Sequence, residues 1–155
     1  VPHLPATPAT VVDVGTGAGL PGLVLAIARP QHRYVLVDSN GKKTRFLVQA
    51  AHALGLANVE VRQARIEDLP VPAGEVTVVS RAFAALPDMA QACAALLAAG
   101  AQLLAMKGLC PDEEMAALPA TVRVARVIPL AVPGLDKARH LVCMVAGDGA
   151  GQRTE

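Results

Sequence analysis

A glycine-rich loop near the start of the chain has the residue types and spacing needed to hold a nucleoside-containing ligand. Glycines recur at every second position, at Gly15, Gly17 and Gly19, and Asp13 lies two residues before the first of them. Because glycine has no Cβ, such a loop lets the backbone approach a ligand closely. Asp38 follows 21 residues after Gly17, at the predicted end of the next strand, where its carboxylate can accept from both ribose hydroxyls. The pattern predicts a cofactor site.

Two classes of cofactor fit this loop. Gly17, Gly19 and Gly22 match the GxGxxG pattern of NAD-binding proteins. Asp13 before Gly15 instead gives an Asp-x-Gly-x-Gly-x-Gly pattern, which resembles motif I of methyltransferases that use S-adenosyl-L-methionine. That cofactor has no pyrophosphate, so its loop must accommodate a methionine carboxylate and ammonium. We favour S-adenosyl-L-methionine and keep two alternatives open, an NAD-type dinucleotide-binding module and a tight βα turn that binds nothing.

The elements that would position these residues alternate between apolar strands and helices. Strands are predicted over 11–14, 34–37, 59–61, 76–79 and 101–106, and helices over 23–28, 42–54 and 86–98. A short helix over 112–118 and two strands over 122–130 and 140–145 follow. The last two strands lack a long connecting helix and are expected to pair antiparallel. The predicted fold class is α/β, a class I methyltransferase Rossmann-like fold with a mostly parallel seven-stranded sheet and a C-terminal antiparallel hairpin.

Composition favours one domain. The 155 residues are 53% hydrophobic, enough for one core, so we predict a single domain over 1–146 and a Gly-rich, disordered tail over 147–155. A net charge of +1 and 2% aromatic residues do not favour bulk attraction to nucleic acid or base stacking. The three cysteines are widely spaced, which predicts neither a disulfide framework nor a zinc site. We expect a cytoplasmic protein with no metal and no membrane association.

Short segments along nearly the whole chain resemble one protein family. They lie at 12–22, 37–39, 41–43, 45–47, 63–67, 80–84, 106–108, 132–136 and 139–141. In this order they are similar to the RsmG (GidB) family of bacterial small-subunit ribosomal RNA guanine-N7 methyltransferases. The resemblance implies transfer of a methyl group from S-adenosyl-L-methionine to N7 of a guanine in 16S ribosomal RNA, with that RNA or the small ribosomal subunit as partner. Members of the family begin with a helical segment before the first strand, so the resemblance also implies that this chain lacks that segment.

The resemblance assigns cofactor contacts to five positions in this sequence, namely Gly15, Leu20, Ile66, Glu67 and Arg81. It implies that Ile66 flanks the adenine and that Glu67, or the backbone beside it, accepts from the exocyclic amine. Arg81 is expected at the carboxyl end of a strand, where α/β proteins bind ligands. The alternative for Glu67 is an ordinary loop carboxylate, and for Arg81 a surface pair with Asp88.

Basic residues are expected around the guanine. N7 has a free lone pair and needs no general base, and O6 beside it can accept from a cation. Arg81 and Lys107 are therefore the predicted catalytic residues, although Lys107 could equally be a structural cation at the sheet edge. Lys107, Arg139 and His140 are predicted to bind substrate, with a solvated basic face as the alternative. A methyltransferase acting on a small molecule or a protein is the second functional hypothesis.

Overall fold

The computed structural model describes residues 1–81 and 84–148, which form one seven-stranded sheet in the order β3-β2-β1-β4-β5-β7-β6. The strands are Thr10–Val14 (β1), Arg33–Asp38 (β2), Val59–Gln63 (β3), Val76–Arg81 (β4), Gln102–Lys107 (β5), Val122–Pro129 (β6) and His140–Ala146 (β7). The first five strands pair parallel, whereas β7 pairs antiparallel with both β5 and β6. The predicted fold class, a class I methyltransferase Rossmann-like fold ending in an antiparallel hairpin, is confirmed.

Five α-helices occur in the described residues. They are Gly22–Ala28 (α1), Gly41–Ala53 (α2), Leu86–Ala92 (α3), Ala94–Ala98 (α4) and Asp112–Ala116 (α5), and a 3₁₀ turn spans Ile66–Asp68. The start of α2 is set by Asn40, whose Oδ1 accepts from the amides of Lys42 and Lys43 at 2.9 and 3.2 Å. Gly55 follows the helix with φ +65°, the left-handed conformation that commonly ends helices.

The single helix predicted over 86–98 is interrupted at Cys93, whose φ and ψ are −96° and 13°. The break separates α3 from α4. Met89 before it and Leu96 and Leu97 after it are all buried in the same core. The helical period fixes which side chains of a straight helix share one face. A short break between α3 and α4 can therefore keep the buried faces of both segments toward the sheet.

The sheet is buried on both faces, which explains the uninterrupted apolar sequence of its central strands. Val12 and Val14 of β1 pack in one core with side chains of α3 and α4, and Val11 packs in the other with side chains of α1 and α2. Asp13 alternates with Val12 and Val14, so it faces the same layer as Val11. It is the only acidic residue of β1 and is fully buried.

Gly147, just beyond the predicted domain boundary at 146, still contacts the segment that leads into the sheet. Gly147 is buried, and its amide donates to the Thr121 carbonyl oxygen at 2.8 Å. Most of the predicted tail, residues 149–155, lies outside the described residues, as do Ala82 and Phe83 of the 80–84 segment. In the part of the chain that the structure describes, no helix has the length and apolar content needed to cross a membrane.

Candidate functional site

The Asp13 carboxylate of β1 forms hydrogen bonds that hold the loop after this strand. Its Oδ2 accepts from Thr16 Oγ1 at 2.6 Å and from the Gly22 amide at 2.8 Å. A Cβ at Gly22 would lie 2.2 Å from Leu36 Cδ2 and 2.6 Å from Asp13 Oδ2, so the start of α1 reaches this close to the sheet only with glycine. Burial raises the pKa of Asp13 to about 6, against the opposing effects of these two hydrogen bonds and of the Arg81 charge. Asp13 therefore holds the loop in place.

Asp38, the last residue of β2, ties the next loop to the first. Its Oδ2 accepts from the Gly17 amide at 3.1 Å and its Oδ1 from the Asn40 amide at 2.9 Å. A carboxylate has about four lone-pair sites, so both oxygens can still accept from a ligand. Gly15 and Gly17 have φ values of 63° and 57°, in the left-handed region that favours glycine. These conformations and the contact with Asp38 define the shape of the glycine loop.

A cavity of about 410 Å³ opens beside Asp38. It lies at the carboxyl ends of β1 and β2 and against the segment after β3, with a lining of Val14, Gly15, Val37, Asp38, Ser39, Lys43, Ala64, Arg65, Ile66 and Glu67. The strand order of the sheet reverses at β1, and open α/β sheets bind ligands at such a reversal, outside the carboxyl ends of the strands. The volume falls in the range of about 300–1,000 Å³ that small-molecule and cofactor sites occupy.

Four of the predicted cofactor residues line this cavity, namely Gly15, Asp38, Ile66 and Glu67. Gly17 is connected to it through the hydrogen bond to Asp38. Gly19 and Leu20 do not belong to the lining: a Cβ at Gly19 would lie 2.3 Å from Leu23 Cδ1, so that glycine serves helix packing, and Leu20 is 38% exposed. Within the loop, Gly15 and Gly17 therefore lie at or beside the cavity, whereas Gly19 packs against Leu23 of α1.

The cavity also includes residues that the sequence did not single out as cofactor contacts. Ser39 directly follows Asp38, and Ala64 and Arg65 directly precede Ile66. Lys43 belongs to the first turn of α2. Their proximity to motif residues was the available signal, because a loop that carries one lining residue tends to bring its neighbours with it.

A second group of predicted residues lies at the carboxyl ends of β4 and β5. Arg81 is the exposed last residue of β4, and the ion pairs among the described residues do not include one between Arg81 and Asp88. The Lys107 side chain, 16% exposed, donates from Nζ to the Ala84 carbonyl oxygen at 2.9 Å. The same Nζ lies 2.8 Å from Glu114 Oε2. Neither Arg81 nor Lys107 lines the cavity.

The remaining substrate candidates lie at the start of β7. His140 pairs with Lys107 in the register of β5 and β7, so the structure brings these two predicted residues together. His140 Nδ1 donates to the Gly108 carbonyl oxygen at 2.7 Å, and Arg139 Nη1 donates to the Ala138 carbonyl oxygen at 2.8 Å. Both residues lie where the start of β7 meets the carboxyl end of β5, and neither lines the cavity.

The three cysteines are also outside the cavity lining. Burial raises the pKa of Cys93 to about 12 and raises that of Cys143, while the hydrogen bond to Asp112 raises the pKa of exposed Cys110. A thiol with a raised pKa is a poor nucleophile at neutral pH because little thiolate is present. Within residues 1–81 and 84–148, no three His, Cys, Asp or Glu side chains form a group that could hold a metal ion.

Comparisons with known proteins bear on the same chain. A family model described as "GidB: rRNA small subunit methyltransferase G" matches residues 1–142. Two relatives named ribosomal RNA small subunit methyltransferase G are similar to it: one from Cellvibrio japonicus is 48% identical over 137 residues, and one from Xanthomonas campestris is 51% identical over 133 residues. These alignments cover 88% and 86% of this chain but 62% and 63% of the relatives, so the chain spans just under two thirds of their length.

A solved structure supports the fold. The crystal structure of a SAM-dependent methyltransferase from Aquifex aeolicus matches with a TM-score of 0.66 at 20% sequence identity, and the match covers 91% of this chain and 85% of that one. At this level of identity the likeness concerns the fold alone. The family match extends over the glycine loop, the residues that line the cavity and the carboxyl ends of β4 and β5. The chain belongs to the GidB family, rRNA small subunit methyltransferase G.

Proposed function

We propose that this chain transfers a methyl group from S-adenosyl-L-methionine to N7 of a guanine in 16S ribosomal RNA, with that RNA or the small ribosomal subunit as its partner. One observation carries the proposal: in a chain of this family, the cavity beside Asp38 combines a glycine loop, a ribose-compatible carboxylate and the Ile66–Glu67 segment. The reaction and the substrate follow from the family. The cavity supports the cofactor part.

The lining residues fit the cofactor in chemical type. Asp38 would accept from the ribose hydroxyls through the lone pairs that Gly17 and Asn40 leave open. Buried Ile66 would flank the adenine, and exposed Glu67 would accept from its exocyclic amine. When bound, S-adenosyl-L-methionine supplies an electrophilic methyl group. NAD, which the GxGxxG pattern also allows, is disfavoured by the family and by the antiparallel β7, which ordinary dinucleotide-binding sheets lack.

Methylation at guanine N7 requires the protein mainly to position the guanine. Guanine N7 forms the new bond with its own lone pair and no proton leaves, so no general base is required. Holding the acceptor in line with the methyl group then provides much of the rate gain. Methylation at a ring carbon would need a thiolate nucleophile, and the raised pKa values of the three cysteines do not favour it.

Arg81 is the residue that we propose to hold the guanine, through a hydrogen bond to O6 that leaves N7 free. It is exposed, and its charge already acts on Asp13 beneath the glycine loop. Arg139 and His140, at the start of β7, would contact RNA phosphate. Lys107, which the sequence predicted to contact the substrate, uses two of its three ammonium hydrogens on Ala84 and Glu114.

The proposal implies a cytoplasmic location, because its substrate is ribosomal RNA, and it requires no metal. Two measurements test it. Calorimetry should detect binding of S-adenosylhomocysteine but not of NAD, and binding of NAD alone would reject the cofactor. In cells that lack the protein, small-subunit RNA should have less N7-methylguanine, and an unchanged amount would reject the ribosomal substrate.

A further inference from the structure

Three polar contacts anchor the end of the connection between β4 and α3. Lys107, the last residue of β5, donates from Nζ to the Ala84 carbonyl oxygen at 2.9 Å. The same nitrogen lies 2.8 Å from Glu114 Oε2 in α5. This oxygen also accepts from the Leu86 amide, at the start of α3, at 2.7 Å. One ion pair thus holds two backbone groups, the Ala84 carbonyl and the Leu86 amide.

The ion pair is well placed to be more than a surface contact. The Lys107 and Glu114 side chains are 16% and 35% exposed, so both are partly shielded from water. The hydrogen bond from Lys107, and less strongly that from the Leu86 amide, lowers the pKa of Glu114, so these contacts favour the charged form of the carboxylate. Charge-assisted hydrogen bonds of this kind are the stronger ones in proteins.

The other end of the same connection begins at Arg81. In the parallel ladder Arg81 is in register with Met106, which directly precedes Lys107. The residue proposed to hold the guanine and the residue that anchors the connection are therefore placed by consecutive positions of β5. Because Ala84 follows Arg81 by only three residues, a shift of Ala84 and Leu86 would also shift Arg81.

We propose that Glu114 and Lys107 form a positioning pair for the acceptor guanine. Glu114 fixes the start of α3 by holding the Leu86 amide and the Lys107 ammonium, and Lys107 acts by holding the Ala84 carbonyl beside that start, not by contacting the base. This inference rests on the proposed function and assigns Lys107 a different role from that of a direct substrate ligand. Glu114 was not among the residues expected from sequence.

The test compares Glu114→Ala, Lys107→Met and the double variant. Each single variant should lower kcat for methylation of small-subunit RNA by about tenfold to a hundredfold, because misplacement of a reacting group costs that much. The KM for RNA and the affinity for S-adenosylhomocysteine should each stay within about threefold, since the pair touches neither the cavity nor, on this account, the RNA. A direct contact between Lys107 and the substrate would instead raise KM in Lys107→Met.

The double variant is the decisive arm. Two residues that act through one connection should give a double loss no greater than the larger single loss, whereas independent roles give losses that multiply. Lys107→Arg and Glu114→Gln, which keep a donor and an acceptor respectively, should recover part of the activity and remain informative if the other variants do not fold. Glu113→Gln, at an exposed neighbour on α5, is the matched control and should match the wild type.

The outcomes separate the two proposals. An active wild type with multiplying losses, or with unaffected Glu114 variants, overturns the positioning pair alone. A wild type that binds S-adenosylhomocysteine but methylates no small-subunit RNA overturns the proposed function, and the positioning pair with it.

Discussion

The Asp38 carboxylate accepts a hydrogen bond from the Gly17 amide at 3.1 Å, and this contact joins the loop after β1 to the loop after β2. Gly15 of the first loop and Asp38 and Ser39 at the second loop line the same cavity, and this bond connects the two loops beside it. The carboxylate is 9% exposed and retains capacity for further donors. Its orientation is therefore set before any ligand binds.

Replacement of Asp38 should weaken cofactor binding. Asp38→Ala removes the acceptor for the ribose and leaves the Gly17 and Asn40 amides without a partner. We expect the affinity for S-adenosylhomocysteine, measured by calorimetry, to fall by about tenfold or more. Asp38→Asn should lose less because it keeps one carbonyl oxygen. Asp112→Asn, outside the cavity lining, serves as the control, and an Asp38→Ala variant of unchanged affinity would contradict the site.

A side chain at Gly22 should lower the stability of the fold. In Gly22→Ala the new Cβ would lie 2.2 Å from Leu36 Cδ2, and overpacking of this kind costs about 1–3 kcal/mol of unfolding free energy. Gly41→Ala is a matched control, since Gly41 also opens a helix and its Cβ would meet only the end of the Gln63 side chain, at 3.2 Å. Urea unfolding measures both. Equal stabilities for the two variants would show that α1 does not need this close approach.

Asp13 should make stability depend on pH in a predictable direction. Its pKa is raised from 3.8 to about 6 in the folded protein, so its contribution is fully present below about pH 4 and is lost as pH rises through 6. The loss amounts to at most about 3 kcal/mol. Asp13→Asn keeps an oxygen acceptor for Thr16 and Gly22 but does not titrate.

The measurement is the unfolding free energy of the wild type and of Asp13→Asn between pH 4 and pH 8. The variant should compare more favourably with the wild type at pH 8 than at pH 4, with most of the change between pH 4 and pH 6 and little above pH 6. A difference between the two proteins that stays constant across this range would refute the raised pKa.

Arg81 should matter for methyl transfer. Arg81→Ala removes the proposed donor to O6, and loss of one such donor lowers kcat by about a hundredfold. Arg81→Lys keeps the charge without the guanidinium fork and should retain part of the activity. Arg33→Ala is the control, because Arg33 pairs with Glu60 at the amino end of β2, whereas the cavity lies at the carboxyl end of this strand. Wild-type kcat in Arg81→Ala would remove Arg81 from the site.

The glycine loop and Asp38 could be predicted from sequence because their chemistry is local. A strand, a glycine loop, a helix and an acid in succession determine a βαβ unit, and its geometry places Asp38 beside the loop. The different roles of the glycines in this loop could not be predicted from sequence. Glycine recurs at 15, 17, 19 and 22 for different reasons, and only the contacts of Gly19 and Gly22 show that these two serve helix packing.

Contacts between elements could not be predicted. Cys93 lies in a sequence with the apolar, Ala-rich pattern of one helix, and nothing in that pattern marks the break between two segments that are both buried in the same core. Lys107 was expected either as a substrate ligand or as a structural cation, and sequence offered no means to choose because Glu114 belongs to another element. The partners of Lys107 emerge only when α5 packs beside α3. The roles proposed for the site residues stay predictions.

The most direct test of the central claim is to identify the methylated nucleoside. The chain is incubated with isotopically labelled S-adenosyl-L-methionine and small-subunit RNA from cells without this activity, and the RNA is digested and separated by chromatography. We predict that the label is recovered as 7-methylguanosine from 16S RNA. Label in any other nucleoside, or none in RNA under conditions where S-adenosylhomocysteine binds, would contradict it.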